Sequence, residues 1–166
     1  MDKILTLFDY NPSNEGSSSV NQNAVKGLLI EFKEGVCSDI IKNEILDAIL
    51  DEIRVRKKVD YTICFVPASK LELTVLRFSE LADYINEKLP DKVYLNTLSL
   101  APDYDELLEG ERKIVCAHPE RIRGKDVYFI DDVFNTGKSH SGIIQLLKSH
   151  GVKNTYGIYI AKVVKT

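Results

Sequence analysis

The chain has 166 residues, enough for one domain with a core on both faces of a sheet. Its formal charge is −3, which disfavours non-specific binding to nucleic acid. Its three cysteines, Cys37, Cys64 and Cys116, form no CxxC pair, so a zinc ribbon or redox pair has no support and a reducing cytosol suits the free thiols.

No apolar run approaches the roughly 20 residues of a membrane span. No export signal precedes the first strand-like run, and no internal repeat is present. Residues 3–8, with Ile4, Leu5, Leu7 and Phe8, read as that strand. Residues 10–22 are a low-complexity patch with Pro12, Gly16 and serines, read either as a plain loop or as a cover over a site. Asn23 is expected to cap a helix over 24–32, ended by Gly35. Ser38 or Asp39 caps a longer helix, where Ile41, Ile45, Ile49 and Ile53 recur at helical spacing. Arg54, Arg56, Lys57 and Lys58 follow at its C-terminal end, where positive charge suits the helix dipole.

Residues 61–66 read as a second buried strand, running into Pro67-Ala68-Ser69-Lys70. Such a loop offers a hydroxyl, backbone N–H groups and a cation to phosphate; alone, it is more often a turn with a surface lysine. Thr74 or Ser79 is expected to start the next helix, with Leu76, Leu81, Ile85 and Leu89 inward and Arg77 near the loop. Pro90 stops it, and residues 93–95 read as a third strand. Residues 96–119 lack periodicity and carry Tyr104, Arg112 and Lys113. They read either as a surface excursion with a short hairpin at 113–116 or as a flexible flap.

The densest chemistry lies in residues 127–139. Val127, Tyr128, Phe129 and Ile130 read as a buried strand ending in Asp131 and Asp132. Asn135-Thr136-Gly137-Lys138-Ser139 then opens a helix over 139–150, with Ile143, Ile144, Leu146 and Leu147 inward. Unpaired N–H groups and the helix dipole make such a junction an anion site. The acids suit ribose hydroxyls, or Mg²⁺ through water. Both should be exposed at the strand end. The ligand requested is a phosphate near a diol, as in ribose 5-phosphate. Residues 156–164 form the last strand after Gly151. His118, His140 and His150 do not cluster, and His140 reads as a surface residue. Alternating strands and helices imply an α/β fold: three layers, a mostly parallel twisted sheet with helices on both faces. The loops 67–70 and 131–139 should then meet at one sheet edge, beyond the strand C-termini.

The stretch 127–139 resembles the PRPP-binding signature of type I phosphoribosyltransferases. Leu28–Gly35, Val66–Lys70, Arg77–Ala82, Arg123-Gly124-Lys125 and Ala161-Lys162 are similar to stretches of its ComF-like branch. That branch's four-cysteine zinc module is absent from the sequence. The resemblance implies one phosphoribosyltransferase-like domain over 1–166. Residues 1–36 are its candidate hood, since no segment follows the last strand, and 96–119 its candidate flap. It implies transfer of a phosphoribosyl group from PRPP, with Mg²⁺, to a nitrogen acceptor such as a nucleobase, releasing pyrophosphate. Asp131 and Asp132 would serve the ribose and catalysis, with magnesium held mostly through ligand and water. Asn135, Thr136, Gly137, Lys138 and Ser139 would grip the 5-phosphate, and Ser69, Lys70 and Arg77 the pyrophosphate. Tyr104, Arg112 and Lys113 would lie on the flap, and Lys162 could meet the base. A homodimer is compatible with the resemblance. The alternative is a non-catalytic PRPP- or nucleotide-binding regulatory or accessory protein, ComF-like, with a DNA-handling role as one form of it.

Overall fold

Val127 to Ile130 are wholly buried because they lie in an interior strand with neighbours on both sides. A computed structural model describes residues 1–11, 20–57, 59–101 and 113–164 of the chain. The strands of its main sheet are β1 (Asp2–Tyr10), β2 (Tyr61–Phe65), β5 (Asp126–Phe134) and β6 (Asn154–Val163). Their spatial order is β1-β6-β5-β2, and every pairing is parallel. Val93 adds a single parallel bridge to Ile63 outside β2. A separate antiparallel pair joins β3 (Leu98–Leu100) to β4 (Ile114–Cys116).

The pleat sends alternate residues of each strand to opposite faces. On one face Tyr128, Ile130, Tyr156 and Ile158 pack against α1 (Val20–Lys33), α2 (Asp39–Val55) and α3 (Leu71–Lys88). Phe32, Ile41, Ile45, Phe78, Leu81 and Ile85 are the helical side of that core. On the other face Val127, Phe129 and Tyr159 pack against α4 (Lys138–Ser149) through Ile143 and Leu147, joined by Leu98 and Ile122. The expected α/β architecture, a parallel sheet with helices on both faces, is the one observed.

Several boundaries differ from the sequence reading. Asn23 lies inside α1 rather than at its cap, whereas Ser38 does cap α2, its hydroxyl accepting from the Ile41 N–H at 3.3 Å. Helix α3 begins at Leu71, not at Thr74 or Ser79. Its inward residues are Thr74, Phe78, Leu81, Ala82 and Ile85, while Leu76 is exposed. The expected strand at 93–95 is only the Val93 bridge, and the ladder forms at Leu98–Leu100 instead. Within the expected 113–116 hairpin, Ile114–Cys116 form β4, which pairs antiparallel with β3. Within residues 1–36, the candidate hood, the described part supplies an edge strand and a helix that buries Leu29 and Phe32.

Candidate functional site

Strand β5 does not stop at the acids. It runs to Phe134 because β6 keeps pairing with it, Asp131 opposite Tyr159 and Phe134 opposite Lys162. Strand β2 ends earlier, at Phe65 opposite Ile130, so the acids have a strand neighbour on one side only. Successive residues of a strand face opposite ways. Asp132 continues the face of Ile130, toward α1 and α3, and Asp131 continues the face of Phe129, toward α4. The expectation of two exposed acids is corrected: Asp131 is only 7% exposed, and Asp132 is partly buried. One Asp131 oxygen accepts the Asp132 N–H at 2.8 Å, and Asp132 Oδ1 accepts the Val133 N–H at 2.7 Å. Asp132 Oδ2 lies 3.8 Å from Lys33 Nζ and 3.8 Å from Arg77 Nη1.

Beyond Phe134 the chain turns into α4. Gly137 stands at φ +84°, in the left-handed region that side chains disfavour. A Cβ there would lie 3.3 Å from the Phe134 ring. Thr136 Oγ1 accepts the Lys138 N–H at 3.3 Å, and the Gly137 carbonyl accepts the Ser141 N–H at 2.9 Å, which starts the helix. The remaining first-turn N–H groups have no intrahelical acceptor. No acid occupies the first turn of α4, so its positive dipole end is not offset locally. Asp131, Asp132, Asn135, Thr136, Gly137 and Ser139 line one cavity of about 90 Å³. Lys138 faces a neighbouring cavity of about 350 Å³, together with Ser139 and Lys113.

The second loop leaves the adjoining strand. Val66 donates its N–H to the Ile130 carbonyl at 2.9 Å, one residue past the last paired residue of β2. Pro67 and Ala68 are buried, and Ser69 and Lys70 are exposed. Thr74 braces this loop from α3: its Oγ1 accepts the Ala68 N–H at 2.9 Å and donates to the Lys70 carbonyl at 3.2 Å. The sequence reading saw Thr74 only as a helix start. The missed signal was a hydroxyl residue one turn beyond Lys70.

Arg77 is brought to Asp132, as described. Lys162 is exposed on β6 beside Phe134. Of the flap candidates, Lys113 is exposed beside β4, while Tyr104 and Arg112 lie outside the described residues.

His140 is not a surface residue. It is 7% exposed, and its Nδ1 lies 2.8 Å from the Tyr159 hydroxyl. The rings of Phe129, Phe134 and Tyr159 surround it at 5.4, 5.6 and 5.7 Å between centroids. Burial lowers its pKa below the ordinary 6.5, so it stands neutral at neutral pH. Both His140 and Tyr159 line the cavity of the acids. The clue in the sequence was Gly157 within an apolar strand, a frequent mark of close approach. A Cβ on Gly157 would lie 2.7 Å from His140 Cε1.

No family model matches this chain, and no curated protein matches it. Among solved structures it is similar to a purine phosphoribosyltransferase from Pyrococcus horikoshii Ot3, at 17% identity and a TM-score of 0.43, over 76% of this chain and 88% of that one. An adenine phosphoribosyltransferase overlaps at 13% identity and a TM-score of 0.48, over 75% of this chain and 71% of that one. A hypoxanthine phosphoribosyltransferase from Staphylococcus aureus overlaps at 12% identity and a TM-score of 0.47, over 85% of this chain and 75% of that one.

Proposed function

We propose that the chain binds PRPP and transfers its phosphoribosyl group to a nitrogen nucleophile, such as a nucleobase, with release of pyrophosphate. One observation carries the reading. Two carboxylates and a left-handed glycine turn at a helix N-terminus share a single cavity, as a phosphate beside a diol requires.

The 5-phosphate would sit on the N–H groups of the 135–139 turn, helped by the hydroxyls of Thr136 and Ser139. The ribose hydroxyls would donate to Asp131 and Asp132. Displacement at C1 passes through an oxocarbenium-like state, which nearby carboxylates stabilise. The protein's work is otherwise positioning. Ser69, Lys70 and Arg77 would receive the leaving pyrophosphate. Among the described residues no group of three His, Cys, Asp or Glu side chains forms a metal cage. Two carboxylates without such a cage fit a magnesium ion carried by phosphates and water. Bound there, it would neutralise charge on the departing diphosphate. Lys162, exposed beside Phe134, would meet an acceptor carbonyl.

Calorimetric titration with PRPP, with and without Mg²⁺, tests the reading. Binding should be present in the parent and lost in Asp131→Asn with Asp132→Asn. No binding at millimolar PRPP would sink it. Pyrophosphate release against a panel of bases then separates transfer from the accessory, ComF-like alternative, which binds without turnover.

A further inference from the structure

We propose that Lys33 and Arg77 form a two-cation clamp for a diphosphate, gathered in place by Asp132. The inference rests on the phosphoribosyl reading above and adds to it a residue from α1. Lys33 and Arg77 come from different helices, yet both approach the same oxygen, Asp132 Oδ2, at 3.8 Å. That separation is beyond hydrogen-bond length. The other oxygen of Asp132 is engaged by the Val133 N–H. The carboxylate therefore collects the two cations by charge without bonding either, and two positive charges face one negative.

The chemistry of the group selects its ligand. A ribose diol donates to a carboxylate, so a ribose on Asp132 replaces the weak attraction of both cations. The cations then turn to whatever anion the ribose carries. Arg77 is the better anchored of the two. Its side chain is 21% exposed, and its Nε is buried with no hydrogen-bond partner among the described residues. Lys33 is the last residue of α1, 49% exposed, on a stem free to swing. Helix α3, which carries Arg77, is also the helix whose Thr74 braces the 67–70 loop. Both acids line one cavity, with an anion site on either side of it. The cradle of α4 lies on the Asp131 face, and the cation pair lies on the Asp132 face. A ligand with a phosphate at one end of a ribose and a diphosphate at the other matches both.

The test compares PRPP with ribose 5-phosphate by calorimetry on the parent, Lys33→Gln and Lys33→Arg. Lys33→Gln should weaken PRPP about tenfold, the scale of one charge-assisted contact. Its affinity for ribose 5-phosphate should stay within about twofold. Lys33→Arg should restore most of the loss. Circular dichroism and melting confirm that the surface substitutions leave the fold intact. Equal losses for both ligands, or no loss for PRPP, overturn the clamp while the phosphoribosyl reading stands. A parent that binds neither ligand overturns both. A parent that gains nothing from the diphosphate overturns the clamp alone.

Discussion

The Nδ1 atom of His140 lies 2.8 Å from the hydroxyl of Tyr159, tying the first turn of α4 to the middle of β6. The turn leading into α4 is thus held by a buried polar pair in an aromatic ring cluster. Paired buried polar groups of this kind are costly to disturb.

Acid should loosen this tie. The unfolded chain protonates His140 near pH 6.5, whereas burial delays protonation in the folded chain to lower pH. The contribution is complete above 6.5 and is lost as pH falls toward the folded value. Urea unfolding from pH 7.5 downward should show stability declining through that window, and His140→Gln should flatten part of the decline. An unchanged slope would remove His140 from the titration.

Gly157→Ala should strain the same cluster. The new Cβ would stand 2.7 Å from His140 Cε1 and 2.9 Å from Phe129 Cζ. Overpacking of this kind costs about 1–3 kcal/mol. Denaturant melts should report it, and pairing with His140→Ala should recover part of the loss.

Thr74→Val keeps the shape of the side chain and deletes the hydroxyl that serves Ala68 and Lys70. A buried N–H left without its acceptor costs about 1–3 kcal/mol. Thr74→Ser should retain most of the stability. PRPP affinity should fall in the Val variant, because the 67–70 loop loses its brace. A Val variant with parental stability and affinity would show that the loop holds itself.

Gly137→Ala tests the proposed phosphate role of the 135–139 turn directly. The left-handed backbone penalises a side chain by about 1–2 kcal/mol, and the Phe134 ring stands 3.3 Å from the new Cβ. Ribose 5-phosphate affinity should drop more than overall stability does. Equal affinity by titration would place the phosphate elsewhere.

Local patterns were legible where a few neighbouring residues decide the outcome. The buried run 127–130, the Ser38 cap of α2, the glycine at the α4 turn and the basic last turn of α2 all follow from short-range chemistry. The start of α3 was misread because Leu71 carries no capping side chain; Lys70 takes that position without a side-chain bond. Its inward face was misjudged at Leu76, which lies exposed while Phe78 fills the core.

By itself the sequence determined the alternation of elements, the identity of the acids and the glycine at the helix start, because apolar period, charge and glycine act locally. Tertiary structure decided which way each acid faces. It buried Asp131, since β6 outlasts β2 alongside β5. It buried His140, since Gly157 leaves room on the strand that follows α4. It also carried Lys33 to Asp132 across about a hundred residues of sequence. These outcomes depend on register and packing between distant segments, and a one-dimensional pattern does not encode the pairing that sets them.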